Sequence, residues 1–105
     1  MHIMNIEVLK ASGFVAVEYP GQQGVFYTKK LPVTDMPYMR EHAIDYDLIG
    51  ETTVMLVEVT PDRRVQMTAI NTDYVEEAVA IDTDEAAGLL RDAGVNVDLL
   101  LGKGV

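Results

Sequence analysis

The 105-residue sequence has no cysteine, few basic side chains and no long apolar run. The absence of cysteine excludes disulfides, zinc sites built on thiolates and cysteine nucleophiles. No stretch approaches the ~18 apolar residues that a membrane-spanning helix needs. We also expect no secretory leader, because no basic segment followed by an apolar one stands near the start. These absences predict a soluble, cytoplasmic protein.

Acidic side chains dominate the charge of the chain. Seventeen Asp and Glu residues against eight Lys and Arg residues give a formal net charge of −9. Phosphate backbones and anionic lipid surfaces repel such a chain. We therefore expect neither nucleic acid nor membrane among its partners, and we expect that a protein partner would be basic.

Motifs for cofactor binding and for catalysis are missing as well. The sequence contains no glycine-rich phosphate-binding motif and no serine-nucleophile motif. Its single serine, Ser12, has only His42 as a plausible base. We therefore expect no cofactor and no catalytic residues, and the sequence favours a protein that is not an enzyme.

Alternation of apolar and polar residues predicts four β-strands that pair as two hairpins. These strands are residues 14–19, 25–30, 52–60 and 64–70. Apolar residues at helical spacing predict helices over 34–44 and 83–93. The expected fold is a small two-layer α+β sandwich, with a mainly antiparallel sheet and two to three helices. It forms a single domain over 1–105, with mobile ends at 1–3 and 102–105.

Both predicted helices carry terminal signals. Thr34 or Asp35 can cap the first helix, whose first turn tolerates Pro37 because an amide hydrogen is not needed there. Gly94 suits the left-handed position that follows the last turn of the second helix. Leu90 of that helix is predicted to face the core.

Two further segments each fit both a strand and a helix, and a third predicts a strand. Alternation over residues 1–10 favours a strand, although Asn5 as a cap and Gly13 as a terminator fit a short helix. Residues 74–81 follow a capping-box spacing and fit a helix, and a strand is the alternative. Alternation over 95–101 predicts a final strand.

Two stretches of the chain resemble each other. Residues 17–25 and 57–65 both begin with Val-Glu, end with Val and have turn residues between. Thr28 and Thr68 follow at the same offset. This similarity indicates either a duplicated ββα unit or a chance likeness between two hairpins.

The polar end of the first predicted helix carries the candidate binding site. Its residues are Tyr38, Glu41, His42, Asp45, Tyr46 and Asp47. Clustered acids attract a basic partner over a distance, and tyrosine is a common anchor at interfaces. His42 could also pair with Asp45 as a general base. We expect no metal, because the cluster offers one histidine and no evident three-ligand geometry.

These features favour a small acidic, non-catalytic binding protein of the inhibitor, immunity, adaptor or assembly type. Its partner would be another protein. One alternative is a homo-oligomeric structural subunit of phage or mobile-element origin, for which a homodimer is the simplest form. Another is a small ligand-binding domain or enzyme that uses His42 with Asp45.

Overall fold

Five antiparallel strands form one sheet, in which each strand lies beside the next one along the chain. A computed structural model describes residues 5–42, 54–70 and 78–102. The strands are β1 (Val15–Val17), β2 (Phe26–Pro32), β3 (Val54–Val59), β4 (Arg64–Ala69) and β5 (Val79–Ala80). Two of the strand pairs, β1–β2 and β3–β4, are the predicted hairpins, which are thereby confirmed.

Four short helices accompany the sheet. They are α1 (Ile6–Ala11), α2 (Pro37–His42), α3 (Asp84–Asp92) and α4 (Val97–Leu100), and a 3-10 turn at Val33–Asp35 precedes α2. The predicted α+β class is confirmed, with four described helices where two to three were expected. Within the described ranges, no helix is both long and apolar enough to cross a membrane.

One face of the sheet, which we call the covered face, packs against the helices. Because successive side chains of a strand point to opposite faces, this face carries every second residue. Its side chains are Tyr27, Lys29, Leu31, Met55, Val57, Val59, Val65, Met67, Ala69 and Val79. They form the core together with helix residues, including Leu9, Met39, Leu89 and Leu90. The predicted burial of Leu90 is confirmed, since its side chain is fully buried.

The opposite face, which we call the open face, is covered by no helix within residues 5–42, 54–70 and 78–102. Its side chains are Val15, Val17, Phe26, Thr28, Lys30, Leu56, Glu58, Arg64, Gln66, Thr68 and Ala80. The face therefore mixes apolar, polar and charged groups, of which Val15 is exposed and Phe26, Thr28 and Glu58 are buried.

The ends of α1 and α3 share one structure. In each helix a glycine with positive φ, Gly13 or Gly94, follows the cap residue. The next amides, of Phe14 and Val95, donate to carbonyls near the end of the helix, those of Leu9 and Leu90. This is the Schellman arrangement, and it confirms the predicted role of Gly94.

Lys29 links these two helix ends from the covered face of β2. Its Nζ donates to the carbonyl oxygen of Ser12 at 2.6 Å and to that of Ala93 at 2.7 Å. Both carbonyls belong to cap residues. A cation is favoured at helix C-termini, where the dipole is negative and carbonyls lack helical partners.

Two predicted strands are helices in the structure. The strand favoured over residues 1–10 is wrong where the chain is described, because α1 begins at Ile6 and the Asn5 side chain accepts from the Glu7 amide. The strand predicted over 95–101 is also wrong. Asn96 caps α4 by accepting from the Leu99 amide. In both segments a capping side chain outweighs a short apolar alternation.

The helix predicted over 34–44 begins later than expected, and residues 43–44 lie outside the described ranges. The 3-10 turn holds Thr34 and Asp35, and α2 begins only at Pro37. The amides of Tyr38 and Met39 are capped by the carboxylate of Asp92, at 3.1 and 3.0 Å, and not by Thr34 or Asp35. A partner distant in sequence thus replaces the expected local cap.

The similar stretches 17–25 and 57–65 do not occupy equivalent positions. Val17 pairs with Phe26 on the open face, whereas Val57 lies on the covered face. A shift of one residue moves a side chain to the other face of a sheet. The duplicated unit stays a hypothesis. Of the segment 74–81, residues 79–80 are in β5, and residues 71–77 lie outside the described ranges.

Candidate functional site

The predicted site on α2 is only partly within the described residues. The rings of Tyr38 and His42 stack with centroids 4.2 Å apart, and His42 Nδ1 lies 3.2 Å from the Tyr38 carbonyl oxygen. Glu41 and His42 are exposed. The remaining predicted residues, Asp45, Tyr46 and Asp47, lie outside the described ranges. The clustering of the predicted site therefore stays a prediction.

Tyr38 has a packing role in the interface between α2 and α3. A Cβ atom on Gly88 of α3 would clash with carbons of the Tyr38 ring. The ring is half-buried there, and the absence of a side chain at Gly88 allows the two helices to approach. Tyr38 is thus less available as an exposed contact than the sequence suggested.

A buried carboxylate lies on the open face, away from the predicted site. Glu58 stands near the end of β3, and alternation along the strand directs its side chain to the open face. The residue is only 5% exposed. Acidic side chains are seldom buried unless they are paired or hydrogen-bonded, so this position requires an explanation.

Three side chains donate hydrogen bonds to Glu58. Tyr19 Oη donates to Oε2 at 2.7 Å. Gln66 Nε2 and Thr68 Oγ1 donate to Oε1 at 3.3 and 3.2 Å. The pairing of β3 with β4 places Gln66 directly opposite Glu58 and Thr68 two residues further along. We call Tyr19, Glu58, Gln66 and Thr68 the Glu58 cluster.

The loop of residues 18–25 brings Tyr19 over the open face. The Gln22 amide donates to the Tyr19 carbonyl at 3.1 Å, across Pro20 and a Gly21 of positive φ. Proline followed by such a glycine is the pattern of a type II turn. The Tyr19 ring meets Phe26 edge to face at 5.0 Å between centroids.

Gly24 allows this loop to approach the turn between β3 and β4. A Cβ atom on Gly24 would lie 2.6 Å from Pro61 Cβ, and the φ of Gly24 is +92°. Both the space and the backbone conformation therefore require glycine at this position. The contact fixes the loop beside the Glu58 cluster.

A depression of about 300 Å³ lies at the Glu58 cluster. Besides the four cluster residues, Gln22, Phe26 and Leu56 line it. A wider, shallower depression of about 660 Å³ adjoins it and shares Gln22, Phe26 and Gln66. The carboxylate thus forms part of the wall of a recess with apolar and amide sides.

Tyr19 keeps its proton in this environment. Burial, together with the hydrogen bond to Glu58 and the negative charge of that carboxylate, raises the pKa of Tyr19 from 10.0 to about 12. A phenol with this pKa donates hydrogen bonds near neutral pH and is a poor general base. The cluster is therefore suited to binding and not to proton abstraction by Tyr19.

Within the described part of the chain, no basic side chain lies within ion-pair distance of Glu58. The ion pair found there joins Lys10 and Glu7 at 3.5 Å, on the surface of α1. Across the same ranges, no three His, Cys, Asp or Glu side chains are placed to hold a metal ion together. In these ranges, the side chains that donate to Glu58 are all neutral.

The sequence held part of the signal for this cluster. A turn at residues 61–63 fixes the hairpin register, and that register sets Glu58 beside Gln66 in a strand that is otherwise apolar. Tyr19 could not be placed in this way, because its position depends on how the 18–25 loop folds over the sheet.

Comparisons with known proteins add no family to this description. The sequence matches no protein-family model and no curated protein, and the structure matches no solved structure. A function can therefore be inferred only from the chemistry of the molecule itself, above all that of the open face.

Proposed function

We propose that this chain is a small acidic, non-catalytic binding protein that docks a basic protein partner on the open face of its sheet. The observation that carries this proposal is Glu58, a carboxylate 5% exposed at the wall of a depression, with no described cation beside it. The proposal keeps the kind of function that the sequence favours and moves the contact surface from α2 to the sheet.

Electrostatic theory supports a basic partner. A buried carboxylate that only neutral groups solvate is less well stabilised than one beside a cation. A cation from a partner would complete its coordination. The net charge of −9 would also speed the encounter with a basic protein, by an amount that falls as salt rises.

Apolar side chains around the Glu58 cluster support a macromolecular partner. Val15 on β1 is 62% exposed, and Ile70, just after β4, is 47% exposed. Leu56, which lines the depression, is half-buried. Protein interfaces combine such apolar contacts with a few directed polar groups.

Site-specific photo-crosslinking tests this proposal. We would place p-benzoylphenylalanine at Val15 on the open face and, as a matched control, at Leu99 of α4, which is 42% exposed. After irradiation in cells of the native host, we expect a crosslinked second protein from position 15 and little from position 99. The captured protein is expected to be basic, and in a cell lysate its capture should weaken with added salt.

Other crosslinking outcomes separate the alternatives. A product at twice the mass of the chain from position 15 would indicate the homodimer and contradict a heterologous partner. Equal products from both positions would mean that the open face is not the contact surface. In that case the charge swap Asp45→Lys with Asp47→Lys would test the surface that the sequence predicts near α2.

A further inference from the structure

We infer that the depression at Glu58 receives one primary ammonium group, the side-chain end of a lysine on the protein partner. This inference rests on the proposed function and specifies its chemistry. The observations that carry it are the unused acceptor capacity of the carboxylate, the polar and apolar lining of the depression, and the charge of the chain.

The hydrogen bonds of Glu58 leave room for one further donor. A carboxylate has about four acceptor positions, two on each oxygen. Among the residues that the structure describes, Gln66 and Thr68 donate to Oε1, and Tyr19 alone donates to Oε2. One position on Oε2 therefore stays available to an incoming N–H group.

This capacity favours an ammonium over a guanidinium. Arginine binds carboxylates best through two parallel bonds, one to each oxygen, and Oε1 is already filled. Lysine is a compact charge with three donors that can point to separate acceptors. One donor can reach Glu58, while the others are left for the lining of the depression or for water.

The lining can satisfy the rest of a lysine side chain. The carboxamide of Gln22 borders the depression and offers an oxygen acceptor. Phe26 and Leu56 border it as well and can contact the methylene groups that precede the ammonium. The aromatic rings of Tyr19 and Phe26 also attract a nearby cation through their faces.

A lysine on a protein fits the surroundings better than a free small amine. The exposed Val15 lies on the same face as the depression, and a free amine would leave it in water. A partner that inserts a lysine would cover it at the same time. Opposite net charges would guide this partner to the face.

The direct test is a titration followed by NMR of the 15N-labelled full chain. The probe is Nα-acetyl-lysine N-methylamide, compared with its Nε-acetylated form and with the arginine counterpart. We expect saturable shifts in β3 and β4 around Glu58 and Gln66 with the lysine probe. The Nε-acetylated probe should give none, and the arginine probe should bind more weakly.

Two substitutions that remove the same charge provide the comparison. Glu58→Gln should lower the affinity for the lysine probe by about tenfold to hundredfold, because a charge-assisted hydrogen bond is lost. Glu18→Gln, on the exposed loop next to Tyr19, should leave binding within about twofold, since an exposed charge contributes little. Dispersed spectra of both variants would verify that they are folded.

A third variant keeps the inference testable if Glu58→Gln does not fold. Gln66→Lys places an ammonium directly opposite Glu58 within the chain itself. This internal cation is expected to pair with Glu58, to neutralise its charge and to abolish binding of the lysine probe. Undiminished binding to folded Gln66→Lys would overturn the inference.

The remaining outcomes of the titration and the crosslinking also test the inference. Equal binding to wild type and Glu58→Gln, tighter binding of the arginine probe, or shifts confined to the helices would each overturn the inference. If the lysine probe fails while position 15 still crosslinks a basic protein, the inference is wrong and the proposed function stands. If the probe binds but position 15 crosslinks nothing, the proposed function and the lysine on a protein partner are both wrong.

Discussion

On each face of the sheet, a charged side chain makes several hydrogen bonds. Lys29 lies on the covered face of β2, and Glu58 lies on the open face of the neighbouring β3. Lys29 donates to two backbone carbonyls, at the ends of α1 and α3. Glu58 accepts from three side chains, one of them in a loop.

The difference between these partners indicates different roles. The carbonyls that Lys29 contacts are cap groups that need a donor whenever the helices are formed. The donors around Glu58 are side chains that could turn toward water or toward a ligand, and a depression lies beside them. We therefore assign Lys29 to the stability of the fold and, in our proposal, Glu58 to binding.

The largest expected effect lies in the core beneath the covered face. Leu90→Ala removes a fully buried side chain and should lower the free energy of unfolding by about 2–4 kcal/mol. Val15→Ala, on the open face, should change it by less than about 0.5 kcal/mol. Urea denaturation of both variants measures the contrast, and a loss below about 0.5 kcal/mol for Leu90→Ala would contradict the described packing.

The second-largest expected effect on stability distinguishes Lys29 from the adjacent Lys30. Lys29→Met leaves two cap carbonyls without their donor and should cost about 2 kcal/mol, as expected for hydrogen bonds to a charged group. Lys30→Met removes the same charge from the exposed open-face neighbour and should cost less than about 0.5 kcal/mol. Thermal and urea unfolding measure both losses. If Lys29→Met and Lys30→Met lose similar amounts of stability, Lys29 does not join the helix ends.

Stability above pH 10 tests the Glu58 cluster. The pKa of Tyr19 is raised from 10.0 to about 12, so the folded chain retains this proton in a range where the unfolded chain loses it. The contribution of Tyr19 is therefore fully present below pH 10 and is lost as the pH rises toward 12. The stability difference between wild type and Tyr19→Phe should shrink by on the order of 1 kcal/mol over this range.

A constant stability difference between wild type and Tyr19→Phe from about pH 9 to 12 would contradict the raised pKa of Tyr19 in this environment. Ultraviolet titration of tyrosinate gives an independent check. Tyr19→Phe should remove the phase that titrates near pH 12 and leave the others.

The smallest effect concerns the turn that sets the register of the Glu58 cluster. Arg63 has a φ of 66°, a left-handed conformation that favours glycine, in the turn between β3 and β4. Arg63→Gly should raise the unfolding free energy by about 0.5 kcal/mol, because relief of strain exceeds the added chain entropy. A loss of stability in thermal unfolding would mean that the Arg63 side chain makes a compensating contact.

Local sequence patterns predicted the sheet better than the helices. Val65, Met67 and Ala69 alternate with polar residues, and a turn with Pro61 precedes them, so the β3–β4 hairpin followed from nearby residues. The short helices depended on single caps. Asn96 is a capping signal for α4, but the apolar alternation after it also fits a strand.

Long-range contacts explain what the sequence could not provide. Asp92 caps α2 from another helix, and Lys29 reaches two helix ends that are far apart in the chain. Tyr19 likewise donates to Glu58, a residue distant in the sequence, from the loop that precedes β2. A candidate site chosen from neighbouring residues, such as the one around His42, cannot include a cluster assembled in this way.

One measurement tests the contrast between the two faces most directly. Crosslinking from position 15 would be compared in wild type, Glu58→Gln and Lys29→Met, with the yield expressed per folded molecule from parallel unfolding curves. We predict that Glu58→Gln stays within about 1 kcal/mol of wild-type stability and loses the crosslinked partner. Lys29→Met should lose stability and keep its partner when folded. The account is contradicted if Glu58→Gln loses as much stability as Lys29→Met and its folded fraction still captures the partner.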